Sequence, residues 1–216
     1  MSRGIFISLE GGEGAGKSTQ IKSLSKNLLS NGLRNILTRE PGGTPGAEEI
    51  RDLIVRGDVS RWTPKTEALL VFASRQEHVE KVIKPALSSG DWVICDRFAD
   101  SSVAYQGIGH GLGAESIENL HQWVLGDFKP DLTLILDLPV SIGLERTQGH
   151  SLGENRFEDM DTSFHERMRE GFLSIARDNP DRCTVIDATK SQDEVASDIW
   201  DVVMAQFGKI INGQSS

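Results

Sequence analysis

Gly11-Gly12-Glu13-Gly14-Ala15-Gly16-Lys17-Ser18 constrains this chain more than any other stretch. Its spacing is that of the P-loop, a glycine-rich turn whose backbone amides wrap phosphate oxygens. Such a turn needs a strand before it and a helix after it. Ile5–Leu9 reads as the strand, and a helix runs on from Lys17. The glycines admit backbone conformations closed to other residues. Unpaired amides and the helix dipole favour negative charge at the helix start. Gly11, Gly12, Glu13, Gly14, Ala15, Gly16, Lys17, Ser18 and Thr19 therefore form a candidate nucleoside triphosphate site. Lys17 is spaced to reach the β- and γ-phosphates, and Ser18 to ligate Mg²⁺.

Short apolar runs alternate with longer helical stretches along the rest of the chain, which implies a parallel sheet with helices on both faces. The pattern predicts strands at Ile5–Leu9, Asn35–Thr38, Trp92–Cys95, Leu132–Leu136 and Thr184–Ile186. It predicts helices at Lys17–Ser30, Gly46–Arg56, Pro64–Ser88, Ala114–Leu125, Pro139–Thr147, Asp161–Asp178 and Gln192–Phe207. Gly32, Gly90 and Gly126 sit where helices should stop. A chain of 216 residues suits one α/β domain over 1–211, with a frayed end at 212–216.

In an open parallel sheet, ligands bind beyond the carboxyl ends of the strands. The polar residues that directly follow the predicted strands are Glu10, Arg39-Glu40, Asp96-Arg97, Asp137 and Asp187. Two of these ends carry an arginine beside an acid, which a purely structural sheet has little use for. A net charge of −9 argues against nucleic acid as a partner, since such binding needs broad basic surfaces. It leaves room for a polyphosphate held by arginines in one cleft. Cys95 and Cys183 have neither metal nor disulfide spacing and read as ordinary core thiols of a reducing compartment. No apolar run approaches the ~18 residues of a membrane span, and Met1-Ser2-Arg3-Gly4 leads straight into the first strand. The expectation is a cytoplasmic protein.

Three further segments complete a pattern. Arg39-Glu40-Pro41-Gly42-Gly43-Thr44 follows the second strand. Asp96-Arg97 is followed by Ser101-Ser102-Val103-Ala104-Tyr105-Gln106-Gly107. A basic, glycine-rich stretch runs from Glu145 through Arg146, His150 and Arg156 to Glu158. With the P-loop, these segments resemble the thymidylate kinases, which phosphorylate dTMP from ATP. The resemblance runs from Ile5 to about Thr189, and is to the bacterial type, because Ala15 holds the variable loop position. It implies a P-loop NTPase fold of the nucleoside monophosphate kinase type, a five-stranded parallel sheet with a lid at about 146–158. It also implies Mg²⁺ as the metal, dTMP and ATP as partners, and a homodimer.

Roles follow from the same resemblance. Ser18 and Asp96 surround the metal, with Glu10 as a second acidic candidate. Arg97 bridges donor and acceptor phosphates, a task suited to the planar guanidinium fork. Arg39 and Arg51 are further acceptor-phosphate candidates, although Arg51 reads equally well as a surface residue of its helix. Glu13 orients the acceptor sugar near its 3′-hydroxyl. Arg75 donates to a thymine carbonyl, and Ser102, with Ser101 and Gln106 in the same segment, meets the base edge. Tyr105 packs on the sugar and leaves no room for a 2′-hydroxyl. Arg146 packs on adenine, and Asp187-Ala188-Thr189-Lys190 edges the purine.

Two positions depart from the family pattern. The usual stacking phenylalanine is replaced by Val71, with Phe72 next to it. Either Phe72 takes over through a small helix rotation, or the base packs on an aliphatic face. The phosphate-clamping arginine in the middle of the lid has no clear counterpart, which leaves Arg156 as the expected catalytic clamp. His150 is a poor substitute because it is mostly neutral at pH 7. Gly149 and Gly153 are hinge candidates for a lid that must close to exclude water, and Phe157-Glu158 forms its base. Two other readings stay open: a kinase for another nucleoside monophosphate, and a GTP-driven switch. The switch would need an Asn-Lys-x-Asp segment after a late strand, and the sequence has none.

Overall fold

The computed structural model describes residues 3–147 and 156–213 of the chain. Its strands are β1 (Phe6–Gly11), β2 (Asn35–Arg39), β3 (Trp92–Asp96), β4 (Leu132–Asp137) and β5 (Cys183–Asp187). They form one sheet in the order β2-β3-β1-β4-β5, with every pairing parallel. Parallel neighbours need crossover connections. These are supplied by α1 (Lys17–Ser30), α2 (Pro45–Val55), α3 (Pro64–His78), α4 (Lys84–Ser88), α5 (Ala99–Ser102), α6 (Ala114–Leu125), α7 (Val140–Thr147) and α8 (Thr162–Asp178). α9 (Gln192–Ile211) closes the chain.

Both faces of the sheet are covered, which is why β1 is buried throughout. On one face, Ile21, Leu24 and Leu28 of α1 and Val195, Ile199, Val203 and Phe207 of α9 recur at helical spacing. They pack on Ile7, Leu9, Ile94 and Leu134. A capping box fixes the start of α9: Ser191 accepts from the Glu194 amide, and the Glu194 carboxylate accepts from the Ser191 amide. On the other face, Val79, Ile83 and Leu87 pack on Val93 and Cys95, while Phe164, Met168 and Phe172 of α8 pack on Ile135 and Tyr105. Cys95 and Cys183 are buried and free, as their spacing suggested.

Register decides where the site lies. Leu9 of β1 and Arg39 of β2 both pair with Asp96 of β3. The three strands therefore end level, and Glu10, Gly11, Glu40 and Arg97 emerge along one edge.

The structure departs from the sequence expectation in two places. The helix expected over Pro64–Ser88 is interrupted by a π-helical turn at Val79–Ile83. Pro85 lacks an N–H and its ring crowds the carbonyl one turn back, and the wider turn before it accommodates both. The segment after Arg97, where no helix is predicted, is α5 followed by a second π-helical turn at Val103–Gly109. Among the described residues, no helix is long and apolar enough to cross a membrane.

Candidate active site

The glycine-rich loop spans the gap between Gly11, the last residue of β1, and Lys17, the first of α1. Gly14 has φ 68° and lies so close to α7 that a Cβ there would sit 2.2 Å from the Gly143 carbonyl oxygen. Only glycine fits that approach. Lys17 Nζ donates to the carbonyls of Gly11 at 3.1 Å and Gly12 at 2.9 Å. Burial lowers its pKa and Arg97 adds to the effect, while Asp96, Glu13 and Glu10 oppose it. Arg146, on α7, reaches the Gly14 carbonyl at 3.4 Å.

A cleft of about 880 Å³ opens over this loop. Residues 13–19 line it together with Arg39, Glu40, Arg51, Asp96 and Arg97. Ser18 Oγ donates to Asp96 Oδ2 at 3.1 Å. One hydroxyl and one carboxylate beside a phosphate-binding loop fit Mg²⁺, which keeps most of its waters and needs few protein oxygens.

A second cleft of about 670 Å³ lies beyond Glu13. Its apolar wall comes from Ile54, Val55, Val71, Phe98 and Phe157, and its polar wall from Arg75, Ser101, Ser102, Tyr105 and Gln106. Arg75 is buried. Its Nε donates to Glu40 Oε2 at 2.6 Å and its Nη2 to the Phe98 carbonyl at 3.1 Å. Its Nη1 has no hydrogen-bond partner, and neither has Ser102 Oγ. Unmet buried polar groups are costly, so two of them in one cleft indicate a polar ligand between them. Behind Arg75, Glu40 Oε1 meets His78 Nδ1 at 3.0 Å, and His78 Nε2 meets Thr38 Oγ1 at 2.6 Å. A Cβ on Gly43 would lie 2.4 Å from the His78 ring, which accounts for the second glycine of the Arg39–Thr44 segment.

Glu13, Glu40, Arg51 and Arg97 line both clefts. Arg97 is the only described non-glycine residue with positive φ, at 70°. That conformation is strained and needs support from its surroundings. Its amide donates to the Leu9 carbonyl at 3.0 Å, and the next amide, of Phe98, donates to Glu10 Oε1 at 2.7 Å. The Arg97 guanidinium donates to Gly11 O at 2.9 Å and Glu13 Oε1 at 3.0 Å, and lies over the Tyr105 ring at 4.9 Å. Tyr105 OH donates to the same Glu13 oxygen at 2.6 Å. Burial disfavours the Glu13 charge, but Arg97, Lys17 and the Tyr105 hydrogen bond outweigh it and hold its pKa at about 2.

Most of the expected site residues converge on these clefts. Gly11, Gly12 and Arg146 stand at the P-loop but line neither cleft. Three others are held elsewhere. Glu10 is fully buried, with one oxygen taken by Phe98 N and the other by Ser101 Oγ at 2.5 Å. Burial, with Asp100 nearby, pushes its pKa up to about 7. It supports the Arg97 turn and lines neither cleft, so it does not stand where Ser18 and Asp96 would meet a metal. Phe72 does not line the second cleft; it packs with Ala68 and Ile117 and lies under the Arg75 guanidinium at 4.6 Å. One residue of helical rotation puts Val71 on the wall instead. Arg156 is fully buried and lines neither cleft, because Glu67 holds its Nη1 at 2.5 Å and backbone carbonyls hold the rest of its fork. It cannot serve as the lid clamp from there. Arg39 lines the first cleft only and is paired with Glu48 at 2.9 Å. Gly149, His150 and Gly153 fall outside the described residues.

Sequence reasoning missed the role of Glu40, although it stood in a quoted segment. A buried arginine needs an acid, and an arginine on a helix facing a strand-end glutamate is the signal that could have found the pair.

The family model for thymidylate kinase matches residues 9–199. A curated thymidylate kinase of Caulobacter vibrioides is 54% identical over 208 residues, covering 96% of this chain and 100% of the relative. That of Magnetococcus marinus is 47% identical over 205 residues, covering 95% and 98%. A crystal structure of thymidylate kinase from Ehrlichia chaffeensis superposes with a TM-score of 0.74 at 35% identity, covering 93% of this chain and 99% of that one.

Proposed function

This chain belongs to the thymidylate kinase family, and we propose that it transfers the γ-phosphoryl group of ATP to dTMP across the seam between its two clefts. The observation that carries this reading is the sharing of Glu13, Glu40, Arg51 and Arg97 by both clefts. Two polyanions must be brought together, so the enzyme's contribution is positioning and charge neutralisation. ATP phosphates lie on the Gly11–Thr19 loop with Lys17 on the β- and γ-oxygens and adenine towards Arg146. Ser18 and Asp96 would hold Mg²⁺, which neutralises phosphate charge when bound.

In the second cleft, Arg75 Nη1 donates to a thymine carbonyl and Ser102 meets the base edge, which gives partners to both of these unpaired buried atoms. Ser101 and Gln106 stand on the same wall, and Val71 supplies an aliphatic face for the ring. Tyr105, fixed by its bond to Glu13, walls off the sugar. Glu13 stays ionised at neutral pH and holds Arg97 at the meeting point of the two phosphates. Arg51 and Arg39 add positive charge nearby. A homodimer fits exposed apolar residues on two packed helices, Leu69 of α3 (57% exposed) and Trp123 of α6 (83%). A monomer mass in light scattering would exclude it.

Steady-state turnover with a panel of monophosphates tests the assignment. Highest kcat/KM with dTMP is expected, and UMP should lose by about 10²-fold or more because the ribose hydroxyl has no room. A preference for AMP, GMP or UMP would transfer the chain to another nucleotide.

A further inference from the structure

Arg156 is fully buried, makes bonds along its whole fork, and yet touches neither cleft. Its Nη1 donates to Glu67 Oε2 at 2.5 Å and to the Ile54 carbonyl at 3.1 Å. Its Nε and Nη2 donate to the carbonyls of Asp58 and Val59, each at 3.1 Å. Its own amide donates to Val55 O at 3.3 Å. The carbonyls of Ile54 and Val55 are last-turn groups of α2, which no helical amide can satisfy. Arg156 therefore rivets the base of the expected lid to the end of α2 and, through Glu67, to the first turn of α3.

The rivet reaches the site through its neighbours. Glu67 Oε1 also accepts from Gln106 Nε2 at 2.8 Å, and Gln106 lines the second cleft. Ile54 and Val55, whose carbonyls Arg156 and its amide hold, line it too. Phe157, the next residue after Arg156, completes that wall and stands edge-on to Tyr105 with centroids 5.4 Å apart. Of the groups around the Arg156–Glu67 pair, Ile54, Val55, Gln106 and Phe157 thus line this one cleft, Asp58 and Val59 line neither, and none of the six lines the cleft over the P-loop.

We propose that the Arg156–Glu67 pair is a positioning device for the acceptor nucleotide. It sets the spacing between the lid root, α2 and the Gln106 turn, and so fixes Phe157 as a wall of the acceptor cleft. Its effect is on acceptor binding and not on phosphoryl transfer. This rests on the second cleft being the dTMP site.

The test separates KM from kcat. Replacing Arg156 alone would leave the buried Glu67 carboxylate with only Gln106 and His110 beside its Oε1, so the variant is Glu67→Gln with Arg156→Met, which removes both charges. Its KM for dTMP should rise about tenfold or more while kcat falls less than about threefold and KM for ATP holds. Phe157→Ala leaves the ion pair intact. It should reproduce the rise in dTMP KM, and it keeps the inference open to refutation if the double variant does not fold. Unchanged dTMP KM in Phe157→Ala overturns the inference. So does a kcat loss of about a hundredfold with dTMP KM unchanged in the double variant, which would put Arg156 at the transferring phosphate. An unmodified enzyme with no dTMP turnover would overturn this inference together with the functional reading beneath it.

Discussion

Arg97→Met is expected to lower kcat by about 10³-fold or more and to raise KM for both nucleotides. Arg97 lines the P-loop cleft and the acceptor cleft alike, and its guanidinium is fixed by Gly11 O and Glu13. An arginine already held in place needs no reorganisation when negative charge moves between phosphates, which is where such groups act most strongly. Methionine keeps an apolar stem but removes the guanidinium and its charge. Lysine should rescue little, because one ammonium cannot bond two phosphate oxygens in the geometry of the fork. Initial rates measured while varying each substrate in turn check this. A loss of less than about tenfold, or an effect on one substrate alone, would remove Arg97 from the bridging role.

Lys17→Met is expected to lower kcat by about 10²- to 10³-fold and to leave dTMP affinity intact. Lys17 lines the P-loop cleft and takes no part in the acceptor cleft. Its ammonium folds back on the loop through the Gly11 and Gly12 carbonyls, so the loss falls on the donor phosphates and on the charge that develops in transfer. Calorimetric titration of dTMP without ATP isolates the acceptor. A matching loss of dTMP binding in this variant would mean that the two clefts are one site, or that the loop collapses without its lysine.

Local chemistry made much of this legible in the sequence. The P-loop announces its own strand and helix because only glycine tolerates the conformation and close approach at Gly14. Arg97 and Glu40 directly follow predicted strands and so belong at the site edge, and the register that brings the ends of β1, β2 and β3 level agrees. Val71 and Phe72 show where that reasoning stops. Neighbours on a helix differ by about 100° in direction, and only the packing of α3 on α6 decides which one faces the cleft. Glu10 and Arg156 fail for a related reason. A charged residue beside a site reads as functional in sequence, but burial and partners 88 or 89 residues away in the chain assign both to support. The helical segment after Arg97 was missed because its Val-Ala-Tyr-Gln-Gly-Ile-Gly run lacks a regular apolar repeat and adopts a π-helical turn.

The central claim is that the two clefts meet at Glu13 and Arg97 and hold two nucleotides phosphate to phosphate. Inhibition by adenosine and thymidine joined 5′ to 5′ through a polyphosphate tests it most directly. Competitive inhibition against both ATP and dTMP, with affinity well above that of either nucleotide alone and lost in Arg97→Met, is the expected result. Competition against only one of the two, with no gain in affinity from the link, would contradict it.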